Sequence, residues 1–126
     1  MRSQSEKAAI FHALHKQPGA FIIPNPWDAG TAKILAALGF EALATTSLGV
    51  ANMYGRANGA ISRDETIANC RLIAEATDLP VNADLENGFA DTPEAAAETI
   101  RLAAQAAWLS RERLLGTDYS QARVGN

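Results

Sequence analysis

"VNADLENGFADT", residues 81–92, decides the fold. Val81 and Ala83 suit a packed strand. The stretch then turns polar and acidic through Asp84, Glu86, Asn87, Gly88 and Asp91, and closes on Thr92-Pro93. A buried strand of a parallel sheet is apolar along its length, with its polar residues at the end where it hands over to a helix. Thr92 reads as the N-cap of that helix and Pro93 as its first position. "EAAAETIRLAAQAAW" beyond them is strongly helix-forming.

The same unit recurs upstream. "SRDE" at residues 62–65 is a capping box. It opens a helix that carries Ile67, Cys70, Arg71 and Ala74 near one line and ends around Thr77. Before it stands a strand, "EALATTS", and a loop with Tyr54, Gly55, Asn58 and Gly59. Before that, "AFIIPN" reads as another short strand. Asp28 caps the next helix, "AGTAKILAALG", with Ile34, Leu35 and Leu38 as its apolar stripe and Gly39 as its stop. A first helix covers roughly residues 4–16, with Ala8, Phe11 and Leu14 at helical spacing and Pro18-Gly19 after it. The order is one helix and then three βα units, an α/β pattern with parallel strands covered by helices.

The 126 residues suffice for one modest core, and 48% hydrophobic with 20% charged residues indicates a globular chain. A net charge of −3, with scattered basic residues, argues against nucleic acid or an anionic membrane as partner. No apolar run reaches the roughly twenty residues of a membrane span. The N-terminus lacks the apolar region of a secretory signal, and the single Cys70 forms no internal disulfide. A cytoplasmic setting is expected.

Parallel βα folds place their working groups at the carboxyl ends of strands. Those ends are Asn25-Pro26-Trp27-Asp28, Thr46-Ser47-Leu48-Gly49, and Asp84-Leu85-Glu86-Asn87-Gly88. In extended backbone, residues two apart share a face, which aims Asp84 and Glu86 into one space. Two converging carboxylates suit Mg²⁺, which takes one or two protein carboxylates and leaves room for substrate oxygens. The plainer alternative is that Asp84 ends a strand, Glu86 is solvated and Asp91 favours a helix N-terminus. Ser47 and Gly49 either make a turn or cradle a carboxylate or phosphonate with backbone N–H groups. His12 and His15 read as surface groups, Cys70 as a small core residue, and Trp27 as packing at the mouth.

"FIIPNPWDAGTAKILAALGFEALATTSLGVA", "GRANGAISRDE" and "LPVNADLENGFAD" together resemble the isocitrate lyase/phosphoenolpyruvate mutase superfamily. The resemblance implies the N-terminal part of a (β/α)8 barrel over residues 1–107. It implies a Mg²⁺-dependent lyase or mutase, usually oligomeric, that works on C–C or P–C bonds of small 2-oxo or carboxylated acids through an enolate. The family's metal aspartate falls on Asp84, its next acid on Glu86, and its substrate cradle on Ser47, Leu48 and Gly49.

The pattern departs from the family in three places. Asn58 in "ANG" stands where a catalytic-loop carboxylate is usual, and Ala90 in "GFAD" where a glycine is usual. After Ala107 the chain reads "WLSRERLLGTDYSQARVGN", without the fourth apolar strand and its Glu-Asp pair. A reading frame shifted between Ala107 and Asp118 would leave this pattern; coding DNA with no Ser-Ile-Glu-Asp-like strand in either alternative frame overturns that origin. Residues 108–126 are expected to extend the last helix, exposing Trp108, Leu109, Leu114 and Leu115, and then to become irregular. The alternative function is a non-catalytic, truncated remnant that folds by self-association.

Overall fold

The computed structural model describes residues 1–115, with side chains described through Ala106. The exposure expected of the Trp108, Leu109, Leu114 and Leu115 side chains, and the irregular end, lie outside what is described. The described elements run α1 (Gln4–Leu14), α2 (Ala29–Ala37), β1 (Leu43–Ala44), α3 (Ser47–Met53), α4 (Arg63–Ala76), β2 (Val81–Asn82) and α5 (Pro93–Leu115). The order is that of a βα-repeat protein, and β1 and β2 pair in parallel, Leu43 opposite Val81 and Ala44 opposite Asn82.

The helix starts follow from the chemistry of their caps. Asp28 accepts the Thr31 N–H at 2.7 Å, and Ser62 with Glu65 forms the reciprocal box read from the sequence. Thr92 Oγ1 accepts the Ala95 N–H at 3.3 Å. Ser3 makes a further box with Glu6 at the start of α1.

Three expectations are corrected. "AFIIPN" forms no regular strand, although it lies along β1: the Ala44 N–H donates to Pro24 O at 3.1 Å. The next ladder bond would need an N–H on residue 26, and Pro26 has none. The Asn25 side-chain amide substitutes for it, donating to Ala44 O at 3.0 Å. Second, "SLGVANM" is helix α3 rather than strand end and loop, because Thr46 caps it by accepting the Gly49 N–H at 3.3 Å. Third, the apolar stripe of α2 does not all face inward. Ala32 is fully buried and Leu35 partly so, whereas Ile34 and Leu38 are 60% and 70% exposed.

The core lies between β1 and the helices. Ala32, Leu43 and Ile73 are each 0% exposed, with Leu35, Ala76, Leu79 and Val81 packed against them. A second cluster, Val50, Ala51 and Ile61, fixes α3 against the start of α4. Helix α4 is the central support, touching α2, α3 and α5. Its buried line is Thr66, Asn69, Cys70 and Ile73, so two polar side chains face inward beside the apolar ones. Lys7 of α1 reaches the C-terminus of α4 and donates to Ala74 O and Thr77 O at 3.2 and 2.8 Å, completing carbonyls that no helical N–H can reach.

Candidate functional site

The carboxyl ends of β1 and β2 lie side by side, and this brings α3 and Asp84 together. The Ser47 N–H, in the first turn of α3, donates to Asp84 Oδ2 at 2.9 Å. The Glu86 N–H donates to Asp84 Oδ1 at 3.1 Å. Asp84 is therefore a half-buried anion held at the positive end of a short helix. Burial works to raise its pKa. The backbone bonds from Ser47 and Glu86, with the Ser47 hydroxyl, outweigh burial and hold the carboxyl below its ordinary value.

The sign of that shift has a measurable consequence. A carboxyl whose folded pKa is depressed stabilises the fold above its unfolded pKa, about 3.9, and loses that contribution as pH falls through the lower folded value. The stability difference between the wild type and Asp84→Asn should therefore be largest and flat above about pH 5. It should shrink as pH drops below about 4. Urea melts of both proteins from pH 7 to pH 3 check this; a difference that grows on acidification would contradict it.

Glu86 departs from the extended backbone that placed it on the same face as Asp84. Its φ is +50°, in the left-handed region, and its side chain is exposed. The loop continues with Gly88 at +81° and Phe89 at +54°. Asn87 Oδ1 accepts the Phe89 N–H at 3.1 Å, and the buried Thr99 hydroxyl of α5 donates to Gly88 O at 2.6 Å. Only a glycine suits position 88 fully, since a Cβ there would stand 2.8 Å from the Ala96 Cβ.

The α3 N-terminus is largely committed to the protein's own groups. Ser47 donates to Asp84 and Gly49 to Thr46, so the backbone donor that helix geometry leaves over is Leu48, whose side chain is 50% exposed. Gly49 is approached by a side chain: a Cβ there would meet Trp27 Cδ1 and Thr46 Cγ2 at 2.5 Å. Trp27 is 45% exposed, and its backbone oxygen accepts from the Asn69 side chain at 2.8 Å. Asn25 and Asp28 are spent on Ala44 O and the α2 cap. Asn58 sits exposed between α3 and α4. His12 and His15 are exposed and Cys70 is buried, as expected. Thr45 and Asn69, both buried polar side chains, were not singled out in the sequence, and with Ala42 and Leu43 buried alike no alternation marked Thr45.

No group of three or more His, Cys, Asp or Glu side chains able to hold a metal ion occurs among the described residues. The donors do fit a magnesium ion of the open kind. The Asp84 carboxylate spends two of its lone pairs on N–H groups and one on the Ser47 hydroxyl and keeps a further one, and Mg²⁺ accepts as few as one or two carboxylates.

The family model described as phosphoenolpyruvate phosphomutase matches residues 11–109, most of this chain. The chain belongs to the phosphoenolpyruvate mutase/isocitrate lyase superfamily. A crystal structure named "putative lyase/mutase from Burkholderia cenocepacia J2315" is 59% identical, with a TM-score of 0.81 over 82% of this chain and 38% of that one. An uncharacterized protein of Mycobacterium tuberculosis is 39% identical over 92 residues, 71% of this chain and 35% of its own. The 2,3-dimethylmalate lyase of Eubacterium barkeri is 37% identical over 70 residues, 54% of this chain and 24% of its own. The chain thus spans between about a quarter and two fifths of the length of these relatives. Its α/β order and parallel strands are those of the N-terminal part of the superfamily's (β/α)8 barrel. No described helix is long and apolar enough to cross a membrane.

Proposed function

We propose that this chain carries the N-terminal metal and substrate groups of a Mg²⁺-dependent lyase or mutase for small 2-oxo or carboxylated acids, cleaving or forming C–C or P–C bonds. The observation that carries the reading is the ionised Asp84, fixed by the Ser47 and Glu86 N–H groups at the ends of β1 and β2. Asp84 would hold the ion, the exposed Glu86 side chain would have to swing in to join it, and water and substrate oxygens would complete its shell. The ion supplies Lewis-acid stabilisation of the negative charge that develops as an enolate forms.

The remaining roles belong to the chain. The α3 N-terminus, at Ser47, Leu48 and Gly49, faces the substrate's carboxylate or phosphonate, with Leu48 offering the free N–H and Ser47 and Gly49 fixing the turn that presents it. Asn58 takes the catalytic-loop position as a neutral hydrogen-bonding group, so a step that needs a charge there is excluded from its role. The partner is a small carboxylate or phosphonate, in a cytoplasmic homo-oligomer.

Turnover of oxaloacetate, methylisocitrate and phosphonopyruvate, measured with Mg²⁺ and with excess chelator, tests this. One of them should be consumed with Mg²⁺, and chelation should reduce its rate at least tenfold, by the loss of charge stabilisation. Turnover indifferent to chelation would contradict the proposal.

A second reading is favoured by a separate observation. Ile34, Leu38, Leu72 and Ile100, carried by α2 and its C-cap, α4 and α5, are each more than half exposed, and a second copy could cover them. A non-catalytic remnant that folds by self-association accounts for that exposure. A folded, self-associated chain inert to every substrate above is the outcome that selects this reading over the first.

A further inference from the structure

The ladder between β1 and β2 ends in an unusual exchange. Thr45 continues it by donating its N–H to Asn82 O at 2.9 Å. A regular parallel ladder would next send the Asp84 N–H to the Thr45 carbonyl. It goes instead to the Thr45 hydroxyl oxygen, at 2.8 Å. Thr45 is 4% exposed, and its hydroxyl also meets Cys70 Sγ at 3.6 Å. The hydroxyl therefore has a partner on each side and a settled orientation.

We propose that Thr45 is a positioning residue for Asp84: its buried hydroxyl takes the N–H that the strand would otherwise hold, and so turns the acid out of the ladder toward the α3 N-terminus. The inference rests on the reading of Asp84 as the working acid of this site. Three backbone N–H hydrogen bonds then fix one residue. Thr45 holds the Asp84 main chain, Ser47 holds Oδ2 and Glu86 holds Oδ1. Valine has nearly the shape of threonine and no acceptor. In Thr45→Val the Asp84 N–H would fall back on the residue 45 carbonyl, drawing the acid into strand geometry and away from Ser47. Serine keeps the acceptor. Metal-site groups that orient a ligand in this way are worth about 10–100-fold in affinity.

The test uses the isotopically labelled chain. Amide resonances of Ser47, Asp84 and Glu86 and the solvent exchange of the Asp84 N–H are recorded for wild type, Thr45→Val and Thr45→Ser, each then titrated with Mg²⁺. The expected result is displaced Ser47 and Asp84 resonances and about tenfold weaker Mg²⁺ binding in Thr45→Val, both restored in Thr45→Ser. A folded Thr45→Val with those resonances in place overturns the proposal, as does a Thr45→Ser that behaves like the valine variant. Should Thr45→Val not fold, the wild type decides: an Asp84 N–H that exchanges as fast as a free loop amide overturns the proposal, and a protected one supports it. Resonances that move as expected in a protein without any Mg²⁺ response uphold the role of Thr45 and reject the metal reading alone.

Discussion

Leu43→Ala is expected to cost about 2–5 kcal/mol, the range for emptying a fully buried leucine site. Leu43 is 0% exposed and belongs to β1, which is bonded to Pro24 on one side and to β2 on the other. Its side chain joins α2, through Ala32, to α4, through Ile73. Neither neighbour can easily close the gap. Ala32 has almost no side chain to move, and Ile73 is a stiff β-branched residue on the central helix. Domains of this size are stable by about 5–15 kcal/mol in all, so the loss is a large share of the total. Urea melts should show a lower midpoint with an unchanged slope. Leu38→Ala is the control. Leu38 is 70% exposed, and its truncation should change stability by about 0.5 kcal/mol or less. Equal losses in the two variants would mean that α2 presents its other face to the core.

That contrast also shows what the sequence conveys and what it withholds. Local chemistry was legible: the Asp28, Ser62 and Thr92 caps each depend on residues within three positions of one another. The βα order and the acidic end of β2 were legible for the same reason. The faces of α2 were not, because an alanine-rich helix offers apolar atoms in more than one direction and only the position of β1 selects among them. The first strand was over-read, because Pro24 and Pro26 remove the donors that regular pairing needs. Helix α3 was hidden by its length of seven residues and by a Thr-Thr-Ser start that reads equally well as strand.

At the candidate site, Asp84 was singled out from its place at a strand end. The geometry of its neighbour was not. The expectation of a shared face assumed extended backbone through Leu85, and Glu86 instead adopts φ +50°. A left-handed conformation at a glutamate costs about 1–3 kcal/mol locally and has no signature in residue type. It persists here because its N–H closes onto Asp84 Oδ1 and the following Leu85–Gly88 turn is bonded at 2.8 Å. The same strained turn that exposes the Glu86 side chain thus helps hold the Asp84 carboxylate. Bonds between distant segments, such as Ser47 to Asp84 and Thr45 to Asp84, could not be read before the strands were aligned.

Loss of Mg²⁺ binding in Asp84→Asn is the second large effect, and calorimetry reads it directly. Asparagine preserves the size of the side chain but carries no charge. Its amide group also presents donors to one of the two N–H groups, from Ser47 and Glu86, that now meet carboxylate oxygens. The measurement is a titration of Mg²⁺ into the chain, with and without oxalate as a mimic of the pyruvate enolate, for the wild type and for Asp84→Asn with its fold verified by circular dichroism. The expected result is binding to the wild type that tightens when oxalate is present, weakened at least about tenfold by the substitution. Equal Mg²⁺ affinity in the two proteins, or no heat from the wild type with or without oxalate, would contradict the assignment of Asp84 as the acid that holds the ion.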